Sequence, residues 1–500
     1  MRKINLKPRL LLFIALFMAV LSLVTFINFR PGQTEGQPES LDYFTTQLDQ
    51  RIPALMKTYN IPGVAIALIH EGETEWVEAY GYADVESGRL MTTDTPCRVQ
   101  SISKSLTAWG IIKLVEEGQI DLDAPAQEYL GDWKFPPSNF QTDAITVRQL
   151  LSLSGGMPLG DVLTTYSPYE ETPPLENVLF KDAVAISEPG SRFYYSNVSI
   201  NMLELIIEKV TGRDFAEYMS DVILLSLDMS RSSFNWRSNF YPPVPVGYDL
   251  SGNPKAVYIY PEKASGGLFA SVEDIAAFVA AGMTGKYIKT HGVLQAETIE
   301  LLYQPEINIS GFYSLAFDAY GLGHLIEYLP GGTLAVSHGG QGSGVMSHYH
   351  SIPEEGAGIV ILTNSQRSWP FFAYILTDWA KWLGYPSIGF GRIILGKNIL
   401  QVLVIIFFLL SLYKLWMLSK AYISGKLSFA PLSSKKKVAR IIQGISSLAL
   451  FALLIWAVNQ AYLNITSLFP IVSIWLGYSL LLSAAILLLS AMIVEIDGNT

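Results

Sequence analysis

The stretch Cys97–Gly118, CRVQSISKSLTAWGIIKLVEEG, decides how the chain is read. Its apolar residues recur at three- and four-residue intervals, the period of an amphipathic helix. At the start of that helix Ser101 stands three residues ahead of Lys104. Side chains at i and i+3 share one helix face, so the amine is within reach of the hydroxyl. A serine hydroxyl is a poor nucleophile until a base takes its proton, and a helix start adds free N–H groups and a positive dipole end that suit an oxyanion. The spacing alone is weak, because S-x-x-K recurs at Ser411/Lys414, Ser433/Lys436 and Ser434/Lys437, in or beside apolar runs where acyl transfer has no place. The plain alternative for Ser101 and Lys104 is a capping serine and a solvent-facing lysine.

Two other segments give the pair company. EPGSRFYYSN, residues 188–197, sets Tyr195 and Asn197 at Y-x-N spacing, and SHGGQGSG, residues 337–344, sets His338, Gly339 and Gly340 in a glycine-rich turn after a strand-like run. A Ser/Lys pair, a hydroxyl-plus-amide element and a basic-x-Gly strand, in that chain order, are the parts an acyl-serine hydrolase needs. The bland readings are an aromatic core cluster at Phe193–Tyr195 and a glycosylation sequon at Asn197.

Half of the residues are apolar, too many for a purely soluble enzyme. Four runs approach the roughly 20 apolar residues of a membrane span: Leu10–Phe29 and about 398–418, 441–463 and 468–494. Residues 1–30 carry five Lys/Arg and no acid, and residues 391–500 carry nine against Glu495 and Asp497, which leaves 20 Lys/Arg against 42 Asp/Glu in between. That acidic middle excludes a nucleic-acid partner. The positive-inside rule keeps MRKINLKPR and the Ser419–Arg440 loop in the cytoplasm, so the middle block is expected outside, anchored in the cell membrane. The expected organisation is a signal anchor or signal peptide at 1–30, a linker at 31–40, an extracytoplasmic domain at 41–388 and a three-span membrane domain at 389–500. The single cysteine, Cys97, forbids an internal disulfide and reads as a small buried hydrophobe.

Within the block, Leu41–Tyr59 has helical period, residues 63–72 and 74–84 read as two strands, and 101–240 is mostly helical, with 146–156 and 199–212 the clearest helices. Residues 332–340, 344–352 and 356–364 read as strands, followed by a helix over 369–383. Strands at both ends with helices between predict an α/β (α+β) fold: one sheet closed by the two ends of the chain, with a helical insertion.

RVQSISKSLTAWGIIKLVEEGQIDLDAPAQEYL, ITVRQLLSLSGG, EPGSRFYYSNVSINMLELIIEKVTG, ASGGLFASVEDIAAF and SHGGQGSG together resemble the class C β-lactamase and penicillin-binding-protein family of serine hydrolases over residues 40–385. The added C-terminal spans are similar to membrane-anchored, prodrug-activating D-asparaginyl peptidases. The resemblance implies a β-lactamase/DD-peptidase-like antiparallel sheet flanked by helices. It implies Ser101 as nucleophile, Lys104 and Tyr195 sharing acid–base work, Asn197 holding Lys104 and the substrate amide, and an oxyanion hole from the N–H groups of Ser101 and Gln341 beside His338, Gly339 and Gly340. No cofactor or metal is required. The substrate expected is a small peptide, amide or ester, with the lipid bilayer as the other partner.

His338 departs from the lactamase pattern, which has lysine there. A mostly neutral imidazole anchors a carboxylate weakly, so poor β-lactam hydrolysis and a substrate without an obligatory terminal carboxylate are expected. His348 and His350 alternate on one strand and face the same way, as sheet packing or a metal pair would have them; sheet packing is the expectation. A carboxylesterase or cell-wall DD-peptidase of the same fold is the alternative. A non-catalytic receptor module is more remote, since Ser101, Lys104 and Tyr195 are all present. A transporter is disfavoured because the spans hold almost no intramembrane charge.

Overall fold

β1 (Gly63–His70), GVAIALIH, is buried from Gly63 to Ile69, the continuous apolar run of a strand covered on both faces. In the computed structural model, which describes residues 40–289, 292–429, 437–460 and 464–495, it is central. The other strands of its sheet are β2 (Glu73–Asp84), β3 (Arg89–Leu90), β4 (Ile307–Asn308), β5 (Ala319–Tyr320), β6 (Leu325–Tyr328), β7 (Leu334–Gly342), β8 (Val345–Ile352) and β9 (Ala357–Thr363). Their order is β3-β2-β1-β9-β8-β7-β6-β5-β4, antiparallel throughout. Ile66 pairs with Ile361 of β9 on one side and Glu78 of β2 on the other, so the two ends of the domain close one sheet.

The strand period sorts side chains between the two faces. From β8, Ser347 donates to the Val99 carbonyl at 2.6 Å and the Tyr349 hydroxyl pairs with Ser105 at 2.9 Å, facing helix α2 (Ser103–Glu116). His348 and His350 point the other way, 6.1 Å from Phe372 and 5.6 Å from Trp379 by ring centroids. Phe372 and Trp379 belong to α6 (Trp369–Trp382). The same layer holds α1 (Leu41–Tyr59), whose Phe44 stacks on Trp382 at 4.8 Å.

α2 departs from the amphipathic expectation. Every residue from Ser103 to Ile112 is buried, and the polar ones that punctuate its sequence are internal partners. Ser103 accepts from the Leu268 N–H at 3.1 Å, Ser105 donates to the Gly323 carbonyl at 2.8 Å and Thr107 to the Ala264 carbonyl at 3.0 Å. The helix expected over 146–156 is shorter: α3 covers Val147–Leu151 with a capping box from Thr146 and Gln149, and ends where Leu153 takes φ 55°. Two further helices matter below, α4 (Asn197–Thr211) and α5 (Val272–Ala281).

The chain divides into two compact units, one spanning Pro38–Arg392 and the other holding the chain from Ile393 on. α7 (Gly391–Ile423), α8 (Lys437–Val458) and α9 (Val472–Met492) are each long and apolar enough to cross a membrane. Without hydrophobic drive between helices in lipid, polar contacts and close packing join them: Ser447 donates to the Ala484 carbonyl at 2.7 Å, and Arg440 to that of Ala491 at 2.7 Å. The first apolar run and the linker at 31–40 lie outside the described residues, Ser40 excepted.

Asn364, fully buried at the end of β9, locks the chain-end closure. Its Oδ1 accepts from the Gly63 N–H at 2.8 Å, and its Nδ2 donates to the carbonyls of Tyr82 and Val246, each at 3.0 Å. Asn364→Ala leaves those groups unpaired in the interior, a loss of roughly 2–4 kcal/mol. A thermal scan of the detergent-solubilised chain by near-UV circular dichroism should show a midpoint several degrees lower; an unchanged midpoint would contradict this role.

Candidate active site

Ser101 lies in a single 3-10 turn, Gln100–Ile102, that leads directly into α2, rather than in the α-helix itself. The residue before it is held at φ 52°, a conformation uncommon for a side-chain-bearing residue. Two contacts keep it there: the Gln100 amide donates to the Tyr258 hydroxyl at 3.1 Å, and Ser103 donates to the Gln100 carbonyl at 2.6 Å. Ser101 itself is half-buried.

Lys104, one turn on, is fully buried. Its Nζ has three oxygens around it: Asn197 Oδ1 at 2.7 Å, the Ser265 carbonyl at 2.8 Å and Ser101 Oγ at 3.1 Å. No carboxylate is among them, and burial drives its pKa well below the ordinary lysine value because a desolvated ammonium is costly. The first two oxygens only accept. When unprotonated, the amine gives its two N–H groups to Asn197 and Ser265 and turns its lone pair toward the Ser101 hydroxyl.

Tyr195 and Asn197 flank Ser196, the N-cap of α4, whose hydroxyl accepts from the Ser199 N–H at 2.9 Å and donates to the Pro158 carbonyl at 2.6 Å. The cap thus delivers both neighbours to the same place. Tyr195 is hydrogen-bonded to Ser101, and burial, with Tyr313 adding to it, pushes its phenol above the usual range. The Tyr195 ring stacks on Tyr313 at 5.1 Å and 10°, with the Lys104 amine 5.2 Å from its centroid.

β7 supplies the third side. A Cβ on Gly340 would fall on the Val99 carbonyl oxygen and the Ser347 hydroxyl, so only glycine lets this strand lie against the turn that carries Ser101. Gln341 follows it, and Gln341 Oε1 accepts from Trp369 Nε1 at 3.0 Å. His338 is 1% exposed: Nδ1 donates to the Gly339 carbonyl at 2.9 Å, and Nε2 then accepts from the Tyr320 hydroxyl at 3.2 Å. Both ring nitrogens are engaged within the protein, so the imidazole reaches a substrate only by exchanging one of those bonds. Burial, reinforced by Lys104 when that amine is protonated, pushes its pKa down to about 3, which leaves it neutral.

Sequence reading did not pick out the residues behind the base. α4 carries a ladder at i, i+4 and i+7: Asn197 holds the amine, Asn201 Oδ1 accepts from the Ser265 N–H at 3.1 Å, and Glu204 Oε2 accepts from the N–H groups of Lys263 and Ala264 at 2.7 and 2.8 Å. The ladder fixes the segment whose Ser265 carbonyl faces Lys104. Burial raises the Glu204 carboxyl to about 8, against the lowering effect of those two N–H groups. A polar stripe at helical spacing on an otherwise apolar helix was the available signal.

His348 and His350 lie on the sheet face away from Ser101. Glu327 approaches His350 at 3.8 Å, and among the described residues no group of three or more His, Cys, Asp or Glu is arranged to hold a metal.

A family model described as Beta-lactamase matches residues 48–378. Protein flp of Staphylococcus aureus (strain MRSA252) is 29% identical over 214 residues, 42% of this chain and 42% of that protein. The mitochondrial serine beta-lactamase-like protein LACTB of Mus musculus is 24% identical, over 49% of this chain and 60% of that protein. The chain thus spans less than two thirds of the length of these curated relatives. Among solved structures, the octameric penicillin-binding protein homologue from Pyrococcus abyssi superposes with a TM-score of 0.58 at 29% identity, covering 69% of this chain and 78% of that one. The D-alanine carboxypeptidase AmpC from Burkholderia cenocepacia shares the fold, with a TM-score of 0.54 at 21% identity over 65% of this chain and 95% of that one. Matched over more than half of its length, the chain belongs to the Beta-lactamase family of penicillin-binding-like serine hydrolases.

Proposed function

We propose that the protein is a membrane-anchored, extracytoplasmic hydrolase that works through an acyl-serine intermediate and acts on amide bonds, as a peptidase for small peptides or masked peptide products. The observation that carries this is the buried Lys104 amine, 3.1 Å from Ser101 Oγ with both of its other neighbours hydrogen-bond acceptors. The lone pair takes the serine proton as Ser101 attacks the carbonyl. Tyr195, a neutral phenol bonded to Ser101, gives its proton to the leaving amine and is recharged from Lys104. Water repeats the sequence in reverse to free the enzyme. The N–H groups of Ser101 and Gln341 receive the oxyanion, and Asn197 orients the substrate amide. Esters pass through the same intermediate, so carboxylesterase activity is the alternative.

A neutral His338 gives no fixed positive charge to a substrate carboxylate. This supports substrates uncharged beyond the scissile bond, N-acyl-D-amino-acid amides above all, and slow turnover of β-lactams.

Detergent-purified protein should label with a fluorophosphonate and hydrolyse at least one member of a panel of N-acyl-D-amino-acid amides, D-Ala-D-Ala peptides and nitrophenyl esters faster than nitrocefin. Ser101→Ala should abolish labelling, and Lys104→Ala should lower kcat/KM by roughly 10²–10⁴-fold. Equal labelling of wild type and Ser101→Ala would remove the reading.

The pH dependence has a defined sign. Lys104 serves only when unprotonated, so kcat/KM should rise with pH through its depressed pKa and be level well before pH 10. An acid limb centred near the ordinary lysine value would show the amine to be solvated.

Glu204 is a positioning residue in this scheme. Glu204→Gln keeps a carbonyl oxygen for the two N–H groups and should stay within about threefold of wild type, while Glu204→Ala should lose about tenfold or more. The acid-limb pKa should move in the alanine variant and not in the glutamine one; a shared, pH-independent loss would reduce Glu204 to general packing.

A further inference from the structure

His338 stands on β7 with a neighbour that the scheme above leaves unused. β6 begins at Leu325, opposite Ser337, and so stops one residue short of His338. Tyr320 of β5, the partner of Leu325, reaches past that strand end. Its hydroxyl lies 3.2 Å from His338 Nε2, and the two rings meet edge to face at 6.2 Å and 84°. Phe193 packs against Tyr320 at 5.6 Å between centroids, and Tyr320 is fully buried. The phenol is therefore held against the imidazole rather than free to swing into the cleft.

The partners of the ring decide what it can offer a ligand. The Gly339 carbonyl, 2.9 Å from Nδ1, only accepts, so in the neutral ring Nδ1 carries the proton and Nε2 is a lone pair. Tyr320 is the donor to that lone pair. A carboxylate also only accepts, and it finds no N–H on His338: one is spent on Gly339, and the other nitrogen holds no proton. The titratable groups around the ring are Lys104, Tyr195, Tyr320, His324 and His348. None of these is a carboxylate that would draw a second proton onto the imidazole. Without the Tyr320 hydroxyl, Nε2 becomes a buried acceptor with no partner, and taking up one proton from water gives it an N–H to direct at an anion.

We propose that Tyr320 is a positioning residue that sets substrate choice: by donating to His338 Nε2 it makes the imidazole a wall without donors, and so favours substrates uncharged beyond the scissile bond over those ending there in a free carboxylate. The substrate half rests on the hydrolase reading above; the tautomer of His338 does not.

The full chain in detergent, labelled with nitrogen-15 in its six histidines, reports the tautomer by magnetic resonance, with His338→Gln assigning the signals. The wild type should show Nδ1 protonated and Nε2 bare but hydrogen-bonded at about pH 7, a test that needs no change at Tyr320. In Tyr320→Phe the Nε2 signal should move to that of a lone pair without a donor. A wild-type ring protonated at Nε2, or an Nε2 signal that Tyr320→Phe leaves in place, overturns the tautomer half. The kinetic arm compares N-acetyl-D-Ala-D-Ala with its C-terminal amide, which differ only in charge beyond the scissile bond. The wild type should favour the amide. In Tyr320→Phe the ratio of kcat/KM, acid over amide, should rise about tenfold at about pH 6 through a lower KM for the acid, and fall back toward about pH 8 as the imidazole loses its proton. A wild type that favours the acid, an unchanged ratio, or a change equal at every pH overturns the specificity half and reduces Tyr320 to packing. Failure of Ser101 to react with fluorophosphonate would sink the hydrolase reading and leave the nitrogen signals standing.

Discussion

The constraint on which the site depends is that one amine must stay dry. An ammonium moved from water into a protein interior loses solvation worth several kcal/mol even after relaxation, and here no carboxylate compensates. That penalty drives the Lys104 pKa well below the ordinary lysine value. In the unprotonated form its two N–H groups are claimed by Asn197 and Ser265. That arrangement explains why α2 is buried on all sides rather than along one stripe: a helix with a wet face would let water reach the amine and restore its charge.

Keeping it dry recruits parts of the chain far apart in sequence. Ser103, Ser105 and Thr107 hold α2 to two separate backbone segments, Ala264–Leu268 and Gly323, so the helix neither rotates nor slides to expose position 104. The α4 ladder sets the Ser265 carbonyl from the opposite side. β7 closes the remaining gap because Gly340 has no Cβ. These are positional devices, and each is of the kind that costs little while every partner is present and much when one is removed.

That distinction also explains what could be read from sequence. The sheet closed by β1 and β9, the long helices and the three apolar spans follow from periodicity and run length, which are local properties. Ser101, Lys104, Tyr195 and Asn197 stood out because spacing two or three residues apart is itself geometry. Asn201 and Glu204 did not, because they act through backbone groups about 60 residues away, nor did Ser265, whose carbonyl meets a lysine 161 residues away; nothing in the spacing reveals the partner. The burial of α2 was misread for a related reason: Ser and Thr look solvent-facing in a pattern even where carbonyls from other segments satisfy them. The turn at Leu153 shows the same limit, since a left-handed residue ended a helix that the apolar pattern extended.

The protonation states taken together say more than any one residue. Desolvation holds Lys104 well below the ordinary lysine value, brings His338 down to about 3 and holds the Tyr195 phenol above its usual range. Burial thus works against charge on each of these groups, inside a domain with 42 acidic against 20 basic residues. A neutral His338 offers a carboxylate-bearing ligand no counter-ion, and the acidic surface opposes its approach. A ligand that is neutral at the scissile bond meets no such barrier. On the proposed mechanism, transfer of the serine proton to Lys104 creates an ammonium and an oxyanion together in a place of low dielectric, where their attraction is far stronger than in water. Electrostatic stabilisation then falls on the transition state rather than on the bound ground state, and only interactions of that kind raise the rate of the chemical step. The replacement of a lysine by His338 is consistent with this economy: a permanent cation beside the oxyanion strand would bind anionic ground states and would also raise the cost of protonating Lys104.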